Sequence, residues 1–262
     1  MKKVLVLGHR GMLGNAVYTY LEKHNKVTLL TMSCRWGDAG FEDEIKTLNP
    51  DHIINCIGAI PQKKPSVETY TSINIELPTF LETLGVRVIH PSTDCEFSGD
   101  IPTGEEYTKV DTRDAEDDYG KSKAIISQKI EDSFVNTKII RTSIIGHENG
   151  THFALLDWFL SAEGEVKGYT DHYWNGITTL MWAELASAMI IDWESYPTLN
   201  QFSSGPAVSK YEILTLAQEI YNKDITIQPY TTGTPVNKCL TSDKTLPNLK
   251  EQLISLKAFY NK

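Results

Sequence analysis

Val4-Leu5-Val6-Leu7-Gly8-His9-Arg10-Gly11-Met12-Leu13-Gly14 is the stretch that decides the fold. Four consecutive apolar residues read as a buried strand. The run 12–23, with Leu13, Val17, Tyr18 and Leu21 on one face, reads as an amphipathic helix. Between them the glycines follow a G-x-x-G-x-x-G spacing. Gly8 permits the tight turn, Gly11 the close approach of a pyrophosphate, and Gly14 the close approach of helix to strand. The amino end of the helix, with Met12 and Leu13, offers backbone amides to phosphate oxygens, and Arg10 stands beside them. A glycine-rich turn by itself is common in α/β proteins. At a first strand–helix junction it points to dinucleotide binding.

Outward from this turn the pattern repeats. Runs 27–31, 52–56, 86–90 and 137–141 read as strands, alternating with helices over 41–48, 67–84 and 115–131. This succession predicts an α/β chain with a Rossmann-type parallel sheet and helices on both faces. Beyond residue 144 the character changes. Helices are expected over 153–160, 180–192, 210–221 and 248–260, and the Thr- and Pro-rich stretch 228–247 reads as loop. Ser209-Lys210-Tyr211-Glu212 is a capping box opening one of these helices. The expected organisation is a dinucleotide-binding region over 1–143, joined by parts of 176–203, and a smaller C-terminal substrate-binding region over 144–262.

Composition narrows the function. In 262 residues, 40% are hydrophobic and 23% charged, a balance that argues for a packed core and against disorder. Lys plus Arg is 25 against 34 Asp plus Glu, a net charge of −9, so no basic surplus exists for a nucleic acid or an anionic membrane. The apolar run 4–7 is too short for a secretion signal, and no later run approaches a membrane span. Cys34, Cys56, Cys95 and Cys239 form no C-x-x-C pair, so free thiols in the cytoplasm are expected. Asn149-Gly150-Thr151 reads as a turn. His147 and His152 read as ordinary polar residues, and no metal site is expected.

Three further stretches carry chemistry. No acid follows the second strand before Asp38, where an NAD-selective site places one against the ribose 2′-hydroxyl. Arg10 and Arg35 are instead available to a 2′-phosphate, which favours NADPH and leaves NADH possible. Tyr119 and Lys123 stand four residues apart in a predicted helix and so share a face, an arrangement in which the lysine lowers the phenol's pKa for proton transfer. Ser92-Thr93-Asp94-Cys95-Glu96-Phe97-Ser98-Gly99 follows the fourth strand, where open α/β sheets bind ligands.

Together these motifs resemble the extended short-chain dehydrogenase/reductase family, and within it the dTDP-4-dehydrorhamnose reductase group, which reduces nucleotide-linked 4-keto sugars. Asn55-Cys56-Ile57-Gly58, Ile139-Ile140-Arg141-Thr142-Ser143 and Ser203-Ser204-Gly205-Pro206 also look like that family. The resemblance implies Tyr119 as proton donor to the C4 oxygen, Lys123 as holder of the nicotinamide ribose, and Thr93 as the hydroxyl orienting the carbonyl. It implies Asn74 in support of the relay and Cys56, Ile57 and Gly58 along the cofactor. Asp94, Cys95, Trp174 and Lys238 would face a nucleotide-diphospho sugar. Trp174, beside a glycine and two threonines, would stack on the sugar from a loop, and Lys238 would meet the diphosphate. Trp158 and Trp182 read as core. Some relatives dimerise, so a homodimer is implied.

The chain departs from the family at three places: Glu96 replaces an apolar residue, Ile126-Ser127 a Gly-Glu pair, and Ile144 an aromatic residue. Related dehydratases carry Asp-Glu after the threonine. Here Cys95 follows Asp94 and Glu96 is one residue out of phase, so dehydration is disfavoured. A bifunctional epimerase/reductase stays open. A non-catalytic NADP-binding regulator is the reading from another class, and such proteins tend to lose the Thr, Tyr and Lys that this chain keeps.

Overall fold

The computed structural model describes residues 1–24 and 27–262. Its first half alternates strand and helix. β1 (Lys3–Leu7) leads to α1 (Met12–His24), β2 (Thr28–Leu30), α2 (Phe41–Leu48) and β3 (His52–Asn55). Then come α3 (Val67–Tyr70), a π-helical stretch Thr71–Glu76, α4 (Leu77–Thr83), β4 (Arg87–Ser92), α5 (Asp118–Ser133) and β5 (Thr137–Arg141). The second half holds β6 (Ile144–Ile145), α6 (Leu155–Ser161), β7 (Glu165–Tyr169), β8 (His172–Trp174), β9 (Ile177–Thr178) and α7 (Thr179–Ile191). It ends with β10 (Leu199–Gln201), β11 (Val208–Ser209), α8 (Lys210–Tyr221), β12 (Thr226–Tyr230), β13 (Val236–Asn237) and α9 (Leu249–Tyr260).

Six strands form one parallel sheet in the order β10-β5-β4-β3-β1-β2. Alternation along the strands sorts side chains to the two faces. Val4 and Val6 pack with Leu13 and Val17 of α1 and with Trp182 and Met189 of α7. Leu5 and Leu7 pack with Phe41 and Ile45 of α2 and with Leu77 and Leu81 of α4. Each such side chain, fully buried, contributes about 1.5–3 kcal/mol. The helices therefore cover both faces, as the sequence predicts, and the carboxyl ends of the strands stay open at one edge. A second core, built on Ile145, Leu156, Phe159, Leu180, Ile213 and Leu253, joins the elements of the C-terminal half.

Three expectations need correction. The helix read over 115–131 begins three residues later, because Asp117 is its cap and accepts from the Gly120 amide at 2.8 Å. The helix over 67–84 is interrupted by the π-helical stretch, a distortion frequent near functional sites. The stretch 228–247 is not all loop. β12 begins at Thr226 and pairs in parallel with β7, with Pro229 opposite Gly168 on an edge that tolerates a proline, and β13 pairs with β8.

Candidate active site

Steric constraint builds the glycine turn. Gly8 has φ +72°, and a Cβ there would lie 3.0 Å from the Cys56 carbonyl. A Cβ at Gly14 would lie 2.1 Å from the Gly8 oxygen, so only glycine lets α1 sit on the turn. Gly11 is exposed, and the nearest atom to a Cβ there would be the Gly8 oxygen at 3.5 Å, which leaves room for a ligand. No acid stands in the first turn of α1 to repel an anion. Cys56, Ile57 and Gly58 form the facing wall: the Cys56 amide donates to the Leu7 carbonyl at 3.0 Å and the Ile57 amide to Asn55 Oδ1 at 3.1 Å. Asn74, in the π-helical stretch, braces this wall. Its Oδ1 accepts from the Ala59 amide at 2.9 Å, and its Nδ2 donates to the Ser122 hydroxyl at 3.0 Å. The residues present thus fit a dinucleotide.

After β2 the acids are already engaged. Glu44 accepts from the Ser33 and Cys34 amides at 3.1 Å each, and Asp38 accepts from the Arg35 amide at 2.7 Å. The residues Arg10 and Arg35 are exposed.

The second part of the site lies past β4. Thr93 caps a short 3₁₀ turn over Asp94–Glu96 by accepting from the Cys95 amide at 3.1 Å, and its hydroxyl donates to Asp94 Oδ1 at 2.9 Å. The first turn of α5 is pressed against this turn. A Cβ at Gly120 would lie 2.2 Å from the Cys95 carbonyl oxygen, so the glycine of Y-G-x-S-K is what lets the start of α5, with Tyr119, sit on the turn that Thr93 caps. Tyr119 and Cys95 line the same cleft, and the pKa of the phenol is raised, first by burial and then by Cys95, with Thr93 opposing. Burial pushes the Cys95 thiol up to about 12, with Asp94 raising it and the charge of Lys238 opposing. Lys238 lies over Gly99 and thus reaches the same turn.

Lys123 is buried, with Nζ 2.6 Å from the Pro91 carbonyl and 3.2 Å from His90 Nε2. Pro91 stands on β4 beyond the last residue paired with β3 and has no amide to donate, while its carbonyl is free for the lysine. Burial pushes Lys123 down to about 8, against the raising influence of Glu96. The lowering of the phenol expected from Lys123 is not met: burial dominates at Tyr119, and the amine is turned to Pro91 and His90.

Below the turn, Glu96 is fully buried. Its Oε2 lies 2.7 Å from both Arg141 Nη2 and Arg113 Nε, and its Oε1 accepts from the Ser92 and Ser127 hydroxyls. Glu96 thus supplies the carboxylate against Arg141, and Ser127 is one of its partners. Breaking such a pair costs about 3–5 kcal/mol.

A cleft of about 380 Å³ opens at this place, lined by Pro61, Pro65, Tyr70, Cys95, Asp117, Asp118 and Tyr119. Tyr70 was not anticipated; its ring lies 6.0 Å from that of Tyr119. A more open cleft of about 740 Å³, lined by Lys2, His52 and Arg87 among others, lies at the opposite edge, away from Thr93 and Tyr119. His90 has no part in the sequence reading, and Asn55 stands there only as the first residue of the Asn55-Cys56-Ile57-Gly58 stretch. Their signal was a polar residue closing an otherwise apolar strand run, Val88-Ile89-His90 and Ile53-Ile54-Asn55.

Trp174 corrects the expectation of an open sugar platform. It ends β8 with 9% exposure and belongs to the second core. Gly176 is there to admit its ring, since a Cβ would lie 2.3 Å from Trp174 Cζ2. Thr178 caps α7. Trp182 is buried as expected, whereas Trp158 is 40% exposed. His147 is buried, its Nδ1 2.7 Å from Asp157 and its Nε2 2.8 Å from the Tyr221 hydroxyl.

The family model described as RmlD substrate binding domain matches residues 1–163, more than half of the chain. The chain belongs to the RmlD substrate binding domain family. No curated protein matches the sequence. Among solved structures, a dTDP-4-dehydrorhamnose reductase of Clostridium acetobutylicum superposes with a TM-score of 0.82 at 20% identity, covering 99% of this chain and 100% of that one. A dTDP-4-dehydrorhamnose reductase of Bacillus anthracis in complex with NADP gives 0.84 at 17% identity, covering 100% and 99%. A dTDP-glucose 4,6-dehydratase of the same organism in complex with NAD gives 0.78 at 13%, covering 100% and 97%. At these identities the likeness is one of fold. Among the described residues no helix is long and apolar enough to cross a membrane.

Proposed function

We infer that this RmlD-family chain is an NAD(P)H-dependent oxidoreductase. It reduces the 4-keto group of a nucleotide-linked 6-deoxy sugar in deoxysugar and surface polysaccharide synthesis. The observation that carries this reading is the close packing of the α5 turn holding Tyr119 on the turn that Thr93 caps, with Lys123 held at the Pro91 carbonyl just before it, beside a glycine turn that fits a dinucleotide. The reductases of similar fold, one of them in complex with NADP, support it.

The nicotinamide cofactor, when bound, supplies the hydride that reduces the carbonyl carbon. The side chains do the rest. Tyr119, kept protonated by burial, is the acid for the carbonyl oxygen. Thr93 orients that oxygen by turning its hydroxyl away from Asp94, whose carboxylate would then accept from a sugar hydroxyl. Lys123 would bind the ribose hydroxyls of the cofactor. Lys238 serves the diphosphate as a point charge. Gly8, Gly11, Gly14, Met12 and Leu13 would hold the pyrophosphate, and Cys56, Ile57, Gly58 and Asn74 would line the rest of the cofactor site. Glu44 and Asp38 are occupied by backbone amides, so Arg10 and Arg35 favour the 2′-phosphate of NADPH, with NADH as the second cofactor. Dehydration is disfavoured, because Glu96 is buried against two arginines. The cysteines Cys34, Cys56, Cys95 and Cys239 are unpaired, in keeping with a cytoplasmic place, and the assembly we expect is a homodimer.

The test is NADPH oxidation by the purified chain on a panel of nucleotide-diphospho 4-keto-6-deoxy sugars that vary in nucleotide and stereochemistry. Turnover of at least one sugar, with one NADPH consumed per carbonyl lost, is the expected result. NADPH binding without oxidation on any member would favour the regulatory reading.

A further inference from the structure

Behind Lys123 runs a buried chain of polar groups that no part of the proposed mechanism uses. His90 on β4 is 1% exposed, Asn55 on β3 is fully buried, and Lys123 on α5 is 6% exposed. Lys123 Nζ lies 3.2 Å from His90 Nε2, and Asn55 Nδ2 lies 3.3 Å from His90 Nδ1. Asn55 Oδ1 accepts from the Ile57 amide at 3.1 Å.

The donor inventory fixes the protons. An amide N–H only donates, so the Asn55 atom facing Ile57 is its carbonyl oxygen. Its NH₂ then faces His90 Nδ1, which must accept. Burial keeps the imidazole uncharged, with its pKa well below the usual histidine range, and a charged Lys123 would lower it further. An uncharged ring carries one proton, here on Nε2. That N–H points at Lys123 Nζ, where an amine accepts and an ammonium does not. Nζ still donates to the Pro91 carbonyl, as an amine can.

The structure is therefore the arrangement of an uncharged Lys123. When Lys123 takes a proton, Nε2 must become the acceptor and the ring proton moves to Nδ1. Asn55 then turns its oxygen to the ring and releases the Ile57 amide. We propose that His90 is a positioning residue that couples the charge of Lys123, through its tautomer and Asn55, to the Cys56–Gly58 wall of the cofactor site. The role of the coupling rests on the reading of Lys123 as a catalytic residue; the proton arrangement itself does not.

The groups around Lys123 are few. β4 brings His90 and the Pro91 carbonyl, the turn after it brings Glu96, and α5 brings Tyr119 one turn earlier. Glu96 is held by Arg113 and Arg141, and Asn74 of the π-helical stretch is committed to Ala59 and Ser122. His90 meets Lys123 on one side and Asn55 on the other. Burial pushes Lys123 down to about 8. Both arrangements are thus populated near neutral pH, the ammonium form below that value and the amine form above it.

Long-range proton–nitrogen spectra of the ¹⁵N-histidine-labelled chain test this, with His90 assigned by its loss in His90→Gln. The expected result is a ring uncharged throughout that passes from Nδ1–H to Nε2–H as pH rises. Its midpoint should coincide with the titration of Lys123, followed by a ¹³C label at Cε, and with a shift of the Ile57 amide. In Asn55→Asp the carboxylate accepts from both Nδ1–H and the Ile57 amide. The tautomer should stay Nδ1–H across the range, and Lys123 should bind its proton roughly tenfold tighter or more. The alkaline limb of kcat/KM should follow it upward. A single tautomer in the wild-type chain while Lys123 titrates would overturn the proposal, as would a wild-type-like tautomer change in Asn55→Asp. If Asn55→Asp fails to fold, the wild-type titration decides alone. These spectra need no substrate, so an error in the reductase reading would leave the tautomer result standing and appear only in the rate profile.

Discussion

The Gly8–Gly14 turn and the His172–Gly176 segment each contain a glycine that no other residue can replace, yet only the first announces its role in the sequence. At Gly14 the constraint is local, because the atoms a Cβ would strike belong to Gly8 and His9 of the same turn; at Gly8 they belong to Cys56 and Ile57 after β3, but the spacing of the turn repeats a known geometric solution. At Gly176 the constraint is tertiary. The atoms in the way are the Ser143 oxygen and the Trp174 ring, and burial of that ring depends on α6, α8 and α9. The same residue type marks an open ligand cradle in one place and a closed packing joint in the other.

The sharpest way to break this comparison is at the reaction centre of the first region. Tyr119→Phe removes the phenol oxygen and keeps the ring against Tyr70. Loss of a positioned acid lowers kcat by about 10²–10⁴-fold. NADPH affinity, read by fluorescence titration, should stay near wild type. Near wild-type turnover would remove Tyr119 from the mechanism and leave the turn as a binding module.

The second variant probes the other region. Trp174→Ala empties a core position, and such a truncation costs about 3–5 kcal/mol. The expected outcome is a clearly lower melting temperature, with KM for the sugar nucleotide unchanged in Trp174→Phe, which keeps an aromatic body in the core. A raised KM with unchanged melting temperature would return Trp174 to the sugar face.

What was legible divides along the same line. The parallel sheet follows from strand runs and helix periodicity. The capping boxes at Ser209 and Asn248 are complete in the structure, and only the first was read, because its Glu212 stood out before an apolar run. Thr93 and Tyr119 were recognised as motifs, but the glycine that joins them works by touching a carbonyl some 25 residues earlier in the chain. Glu96 was read as pointing away from the reaction, and its pairing with Arg113 and Arg141 explains where it points. His90 and Asn55 were invisible as a pair, because each sits alone at a strand end and only the sheet order places β3 beside β4. Trp174 was misread because glycine and threonine signal a loop in isolation, whereas here they serve close packing and a helix cap.

The smallest expected effect tests whether the first region also chooses its cofactor. Arg10 follows the glycine turn and Arg35 follows β2, and both are exposed. An exposed ion pair in water contributes little, about 0–1 kcal/mol, so an arginine without a ligand should not matter to stability. A charge-assisted bond to a 2′-phosphate is stronger, about 1.5–3 kcal/mol. NADH lacks that phosphate. Replacing both arginines with alanine should therefore weaken NADPH by roughly tenfold or more, since 1.4 kcal/mol is a factor of ten, and leave NADH nearly unchanged. Raising the salt concentration should narrow the same gap in the wild-type chain, because exposed charges are screened. Equal weakening of both cofactors would mean that the arginines act on the shared pyrophosphate. A native preference for NADH would mean that the missing acid after β2 does not decide the choice, and the local reading of this region would then fail at its outermost residues.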